Sequence, residues 1–126
     1  MIVGIGVDTV LVRRIREALN RHGTRFAEKL LTPLELQRFN THGQPARYLA
    51  KRFAVKEAFS KAMGTGIRNP VTWRKIGTAH DAKGAPIIAM HPDLEAFAQA
   101  RGVTHAHVSV TDEEQHAVAF VILEHL

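Results

Sequence analysis

The chain has 126 residues, with 17 Lys and Arg against 12 Asp and Glu, and a formal net charge of +5 at pH 7. Its 45% hydrophobic and 23% charged content is that of an ordinary globular chain, expected to form one domain over residues 1–126. With no cysteine, a disulfide framework and a thiolate metal site are both excluded, and the positive surplus calls for an anionic partner: nucleic acid, an acidic protein or a phosphorylated ligand.

The opening MIVGIGVD is too short and too soon interrupted for a signal peptide or membrane span, so a cytoplasmic setting without membrane attachment is expected. Ile2 to Val7 alternates as a strand, with Val3, Ile5 and Val7 on one face and Ile2, Gly4, Gly6 and Asp8 on the other. Two glycines on one face let another backbone come close, and Asp8 emerges at the strand's end beside that clearing. The plainer role for Asp8 is to N-cap the next helix. That helix is expected from Thr9 to about Arg21, with Ile15, Ala18 and Leu19 inward. Arg13, Arg14, Arg16, Arg21 and, after Gly23, Arg25 crowd its outer side, with Glu17 the only acid. Such a run is either a solvated face or a docking surface for an acidic helix or a phosphate backbone.

A short helix is expected over Phe26–Leu31. Thr32-Pro33-Leu34-Glu35 then reads as a capping box opening a helix to about Asn40, and residues 41–44 form a loop. The stretch from Arg47 to Gly66, RYLAKRFAVKEAFSKAMGTG, is the centre of the chain, with Pro45 at a first helical position and Gly64 as C-terminal cap. At about 100° per residue its apolar side chains, from Tyr48 and Leu49 to Ala62 and Met63, go nearly all the way round, as in a buried helix. Glu57 lies within that ring, on the side of Phe53 and Ala50, with Lys61 one turn on. A buried carboxylate is costly unless paired, hydrogen-bonded or bound to metal. A Glu57–Lys61 salt bridge at i, i+4 is the simplest partnership. Gly64-Thr65-Gly66 alternatively offers bare backbone N–H groups beside Lys61, which suits a phosphate.

Beyond the break at Asn69-Pro70, Thr72–His80 and Ala85–Met90 read as two strands joined by a turn at residues 81–84. His91-Pro92-Asp93 opens a helix to Arg101, with Leu94, Phe97 and Ala98 inward and Gly102 after it. His105–Thr111 and His116–Glu124 are two further strands, the last nearly continuous in apolar residues and so a candidate subunit interface. The order of elements gives an α+β fold, helices packed on a mainly antiparallel sheet.

Of the eight histidines, His105 and His107 share a strand face, but no third ligand at a metal-binding spacing joins them, so zinc is not favoured. No nucleophile elbow, Walker loop or dinucleotide fingerprint is present. What remains is Asp8, Glu57 and nearby cations. Two hard oxygen ligands with open positions suit Mg²⁺, which completes its shell from water and substrate phosphates.

Five segments resemble one family, the holo-acyl-carrier-protein synthases, which are the short phosphopantetheinyl transferases. They are Gly4-Ile5-Gly6-Val7-Asp8, the run from Arg52 to Ala62, Gly64-Thr65-Gly66, Lys83-Gly84-Ala85-Pro86, and His107-Val108-Ser109-Val110-Thr111-Asp112. They follow the family's order across nearly the whole chain, and the middle one is the most specific. Val7 and Val55 depart mildly from the usual pattern without removing a functional group. The resemblance implies a 4′-phosphopantetheinyl transferase-like fold and a Mg²⁺-dependent reaction in fatty acid biosynthesis. In it 4′-phosphopantetheine passes from coenzyme A to a serine of apo acyl carrier protein, releasing adenosine 3′,5′-bisphosphate.

Carried over by position, Asp8 and Glu57 resemble the metal ligands and Lys61 the pyrophosphate contact. Gly64 and its neighbours line the coenzyme A site, with Arg52, Ser60, Pro86 and His107 around it. Glu57, a metal-bound water or His107 is left to accept the hydroxyl proton, a water held by the metal and Glu57 being preferred. Arg13, Arg14, Arg21 and Arg25 become the docking surface for the acidic carrier. The resemblance further implies a homotrimer with sites between subunits. The competing reading is a small basic nucleic-acid-binding protein, disfavoured by one Trp and one Tyr for stacking; no nucleic acid is expected as partner.

Overall fold

A computed structural model describes all residues, Met1–Leu126. Strand β1 (Ile2–Leu11) is followed by α1 (Val12–His22), α2 (Thr24–Leu30), α3 (Pro33–Thr41) and α4 (Pro45–Met63). A 3₁₀ turn at Trp73–Lys75 leads into the hairpin β2 (Ile76–His80) and β3 (Pro86–Met90), then α5 (Pro92–Ala100), β4 (His105–Asp112) and β5 (His116–Glu124). The strands form two antiparallel sheets, β1-β5-β4 and the separate pair β2-β3. The α+β expectation holds, with the sheet divided in two.

Helix α4 is the hub. Pro45 opens it and Gly64 closes it in the left-handed conformation, φ 76°. Leu49, Ala50, Ala54, Val55, Ala58 and Phe59 have no exposed surface, each large one worth about 1.5–3 kcal/mol of burial. The inner residues of β5 (Ala117, Ala119, Val121 and Leu123) are equally buried against it. On β1 the glycines set the spacing. A Cβ on Gly4 would fall 1.9 Å from the Ala62 carbonyl oxygen, and one on Gly6 2.0 Å from that of Ala58. Only a bare Cα lets strand and helix backbones lie this close.

Several boundaries differ from the sequence expectation, including that of α2, which runs Thr24–Leu30 rather than Phe26–Leu31. β1 does not end at Val7 but runs to Leu11, because Thr9, Val10 and Leu11 pair with Val118, Ala117 and His116 of β5. The first helix therefore starts at Val12 and its N-cap is Leu11, so Asp8 is a mid-strand residue and caps nothing. The first part of the expected Thr72–His80 strand is the 3₁₀ turn, where the Thr72 carbonyl accepts from both Lys75 and Ile76 N–H. An irregularity between Ile2 and Gly4 also takes Ile2 off the glycine face.

The capping box of α3 is present in full: Thr32 N–H donates to Glu35 Oε1 at 2.9 Å and Glu35 N–H to Thr32 Oγ1 at 3.3 Å. That glutamate also has a tertiary role. It is 2% exposed, and its Oε1 accepts from the fully buried Lys56 Nζ at 2.8 Å while Oε2 accepts from Thr78 N–H at 3.1 Å. Lys56 Nζ further donates to the carbonyls of Trp73, at 2.7 Å, and Ile76. The buried charges of α4 are therefore Lys56 and Arg52, whereas Glu57 is only partly buried. The Lys56–Glu35 pair ties α3, α4 and the β2 hairpin together. Burial pushes the Lys56 amine below its ordinary range, against the opposing pull of Glu35.

Candidate active site

The close crossing of β1 over α4 carries the candidate chemistry. Asp8 follows Gly6 on the same inner face of the sheet, paired with the buried Ala119. Its side chain is only 15% exposed, and Oδ1 accepts from Lys61 Nζ at 2.9 Å. Lys61 Nζ also donates to the Val7 carbonyl at 3.0 Å. The expected Glu57–Lys61 bridge is absent, because Lys61 reaches across to the strand. Glu57 sits one turn before Lys61 on the same edge of α4 and accepts from Trp73 Nε1 through Oε2, at 3.3 Å. Asp8 Oδ2 and Glu57 Oε1 take no hydrogen bond from the protein, and so remain available as ligands.

Two carboxylates with free oxygens fit a hard divalent cation that keeps much of its shell as water. Nowhere do three or more His, Cys, Asp or Glu side chains gather as a metal-binding group. The glycine turn corrects another expectation: the N–H groups of Gly64, Thr65 and Gly66 all turn back onto the Ser60 carbonyl, that of Gly64 also onto Lys61, so they are not bare. Ser60 is 3% exposed and its hydroxyl donates to the Glu57 carbonyl at 2.8 Å, which uses its one donor within the helix.

The remaining predicted site residues lie elsewhere on the chain. His107 pairs with Ile122, which pairs in turn with Ile5, on the outer face of the sheet, opposite to Asp8, and its Nε2 meets Glu124 Oε1 at 2.9 Å. That hydrogen bond holds the Glu124 carboxyl below its ordinary range. Arg52, five residues before Glu57, points about 140° away from it round the helix. It borders a cleft of about 770 Å³ with Arg38, Arg47, Lys51, His80 and Asp112. Arg52 is 5% exposed, its guanidinium 4.9 Å from the Tyr48 ring centroid, and its Nε and Nη1 have no partner. Burial and the charges of Arg52, Arg38 and Lys51 push His80 below the ordinary histidine range. Pro86 pairs with His80 at the turn end of the hairpin. Arg38, Lys51 and His80 escaped the sequence reading, since they come from α3, α4 and β2 and share no spacing.

Arg13, Arg14, Arg21 and Arg25 are all exposed on α1 and α2. The first turn of α1 has no acid and its last turn ends in Arg21 and His22. No helix is long and apolar enough to cross a membrane.

This geometry coincides with a family-wide match: the model of the 4′-phosphopantetheinyl transferase superfamily fits residues 4–121. The chain belongs to that superfamily. It is 51% identical over 124 residues to the holo-[acyl-carrier-protein] synthase of Thiobacillus denitrificans, covering 98% of this chain and 95% of that one. Among solved structures, the holo-[acyl-carrier-protein] synthase of Neisseria meningitidis superposes with a TM-score of 0.95 at 47% identity, covering 98% of this chain and 99% of the other. A transferase of the same name from Bacillus anthracis, solved in complex with CoA (3′,5′-ADP), gives 0.83 at 34% identity, covering 100% and 99%. The phosphopantetheinyl transferase fold expected from the resemblance is thus the fold observed.

Proposed function

We propose that this transferase moves 4′-phosphopantetheine from coenzyme A to a serine of apo acyl carrier protein, releasing adenosine 3′,5′-bisphosphate, in the service of cytoplasmic fatty acid synthesis. The observation that carries the reading is the Lys61–Asp8 contact at the glycine-closed crossing of β1 and α4, on the helix edge that carries Glu57 one turn earlier. The serine oxygen forms a bond to the β-phosphorus, the bond from that phosphorus to the bridging oxygen breaks, and the hydroxyl proton leaves to a base. Both ends of the pyrophosphate are highly charged, so the work is neutralisation and positioning.

Asp8 and Glu57 would hold Mg²⁺, which supplies charge neutralisation at the pyrophosphate oxygens. Lys61, half-exposed on its long stem, contacts Asp8 in this structure and is within one side chain's reach of a phosphate bound there. Glu57, directly or through a water it holds, takes the hydroxyl proton. The exposed arginines of α1 and α2 receive the acidic carrier.

Arg52, Pro86 and His107 belong to this reading as contributions from a second copy. In one chain His107 lies on the sheet face opposite to Asp8 and Arg52 points away from Glu57, yet the outer face of the β1-β5-β4 sheet exposes Ile5, Val7 and Phe120 beside His107. A homotrimer that covers this apolar face would bring His107 and the Arg52 cleft of one protomer toward Glu57 of its neighbour. The cleft, with a buried guanidinium lacking partners, suits a phosphate of the coenzyme A nucleotide.

Mass spectrometry of an apo carrier incubated with enzyme, coenzyme A and Mg²⁺ tests the reaction. The expected result is a gain of one phosphopantetheine, abolished by Glu57→Gln. An unmodified carrier with the native enzyme refutes the proposal. Sedimentation showing a stable, active monomer refutes the shared site.

A further inference from the structure

Trp73, the only tryptophan in the chain, is held from three directions by α4. Its carbonyl accepts from the buried Lys56 Nζ at 2.7 Å. Its ring lies against Phe53, with centroids 5.9 Å apart at 48°. Its indole N–H donates to Glu57 Oε2 at 3.3 Å. The turn that presents it is itself pinned, since Lys56 also binds the Ile76 carbonyl and Lys75 and Ile76 N–H both close onto Thr72. Glu57 has no other side-chain partner, because Lys61 has crossed to Asp8. The orientation of that carboxylate therefore depends on one donor, carried by a base anchored in the buried Lys56–Glu35 pair.

We propose that Trp73 is a positioning residue for Glu57: its indole N–H fixes Oε2 and thereby leaves Oε1 aimed at the divalent cation. The inference rests on the reading of Glu57 as a metal ligand. A carboxylate on a flexible stem must otherwise be ordered by the metal itself, and partners that orient ligands in this way typically contribute about 10–100-fold to metal affinity. Phenylalanine at this position keeps an aromatic ring and the carbonyl for Lys56, and removes the donor nitrogen with two ring carbons.

Calorimetric titration of native protein, Glu57→Gln and Trp73→Phe with Mg²⁺ alone, each with a metal-free melting curve, tests this. Trp73→Phe is expected to melt as the native protein does and to bind Mg²⁺ about tenfold more weakly. The KM for Mg²⁺ in carrier modification should rise by the same factor, while kcat at saturating metal is kept. In the native protein Mg²⁺ should shift the single tryptophan's fluorescence, and in Glu57→Gln it should not. If Glu57→Gln loses Mg²⁺ but Trp73→Phe binds within about twofold of native, the metal site stands and the positioning role is overturned. If Trp73→Phe loses melting temperature and affinity together, its role is packing alone and the proposal is likewise overturned. If Glu57→Gln binds Mg²⁺ as the native protein does, the ligand reading fails and the inference falls with it.

Discussion

Replacing Gly6 with alanine tests the contact on which the site rests. The new Cβ would stand 2.0 Å from the Ala58 carbonyl oxygen and 2.7 Å from the Ala62 amide nitrogen, both helix backbone. Neither atom can swing aside as a side-chain tip would. Ordinary contact begins at 3.4 Å, so from 2.0 Å strand and helix must part by about 1.4 Å. Overpacking costs about 1–3 kcal/mol, and a backbone obstruction puts this substitution at the upper end. A domain stable by about 5–15 kcal/mol survives that loss, so the chemistry of the variant remains measurable. Asp8 moves with the strand, away from the helix edge that carries Glu57. Misplacement by about 1 Å can cost roughly 100-fold in rate, and a loss of that order is expected in carrier modification followed by mass spectrometry. Urea unfolding reads the stability. Gly43→Ala, where an added Cβ meets nothing within 4 Å, should change neither quantity. A Gly6→Ala protein within about 0.5 kcal/mol of native, with undiminished transfer, would refute the reasoning.

Four further outcomes follow from the same structure. Lys56→Ala should lose about 3–5 kcal/mol, since it strands the Glu35 carboxylate in the core, and denaturant titration measures this directly. The folded pKa of Lys56 is lowered, so the unfolded chain binds more protons between that value and the ordinary 10.5. The cost of its buried charge is thus complete below the folded pKa and is relieved as pH rises toward 10.5. Native stability relative to Lys56→Met should climb over that window; a flat difference would contradict the burial argument. Tyr48, whose phenol burial pushes up, is present in both proteins, so its titration cancels from the difference. Charge reversal at Arg14 and Arg21 should weaken carrier binding and leave the remainder less salt-sensitive, and unchanged affinity in a salt titration would dismiss α1 as the docking surface. Finally, mixing and exchanging subunits of inactive Glu57→Gln and inactive Arg52→Ala should restore activity if one site draws on two protomers, and no recovery after demonstrated exchange argues for sites within single chains.

Much of the architecture was legible because its signals are local. The capping box at Thr32–Glu35, Pro45 and Gly64 at the ends of α4, the hairpin turn and Gly102 after α5 act through neighbours a few residues away. The alternation of Gly4, Gly6 and Asp8 likewise placed the carboxylate on the face that meets the helix. The errors fell where an element's extent depends on a distant partner. Thr9–Leu11 continues as strand because β5 is there to pair with it.

Charge pairing was beyond the sequence for the same reason. On α4 the spacing offered Glu57 to Lys61, yet Lys61 bonds Asp8, 53 residues away, and Glu57 bonds Trp73. No spacing singles out Lys56 in the sequence; α3, the 3₁₀ turn and β2 supply its partners, Glu35 and two carbonyls. The sequence alone determined that Asp8 lies on the glycine face of the opening strand and that Glu57 and Lys61 lie one turn apart on the central helix, because periodicity and caps are properties of short segments. The tertiary structure decided which charges are buried, which partner each one takes, and that His107 lies on the sheet face opposite to Asp8 while Arg52 points away from Glu57. A flexible charged side chain has several acceptable partners, and only packing brings one of them within hydrogen-bond distance.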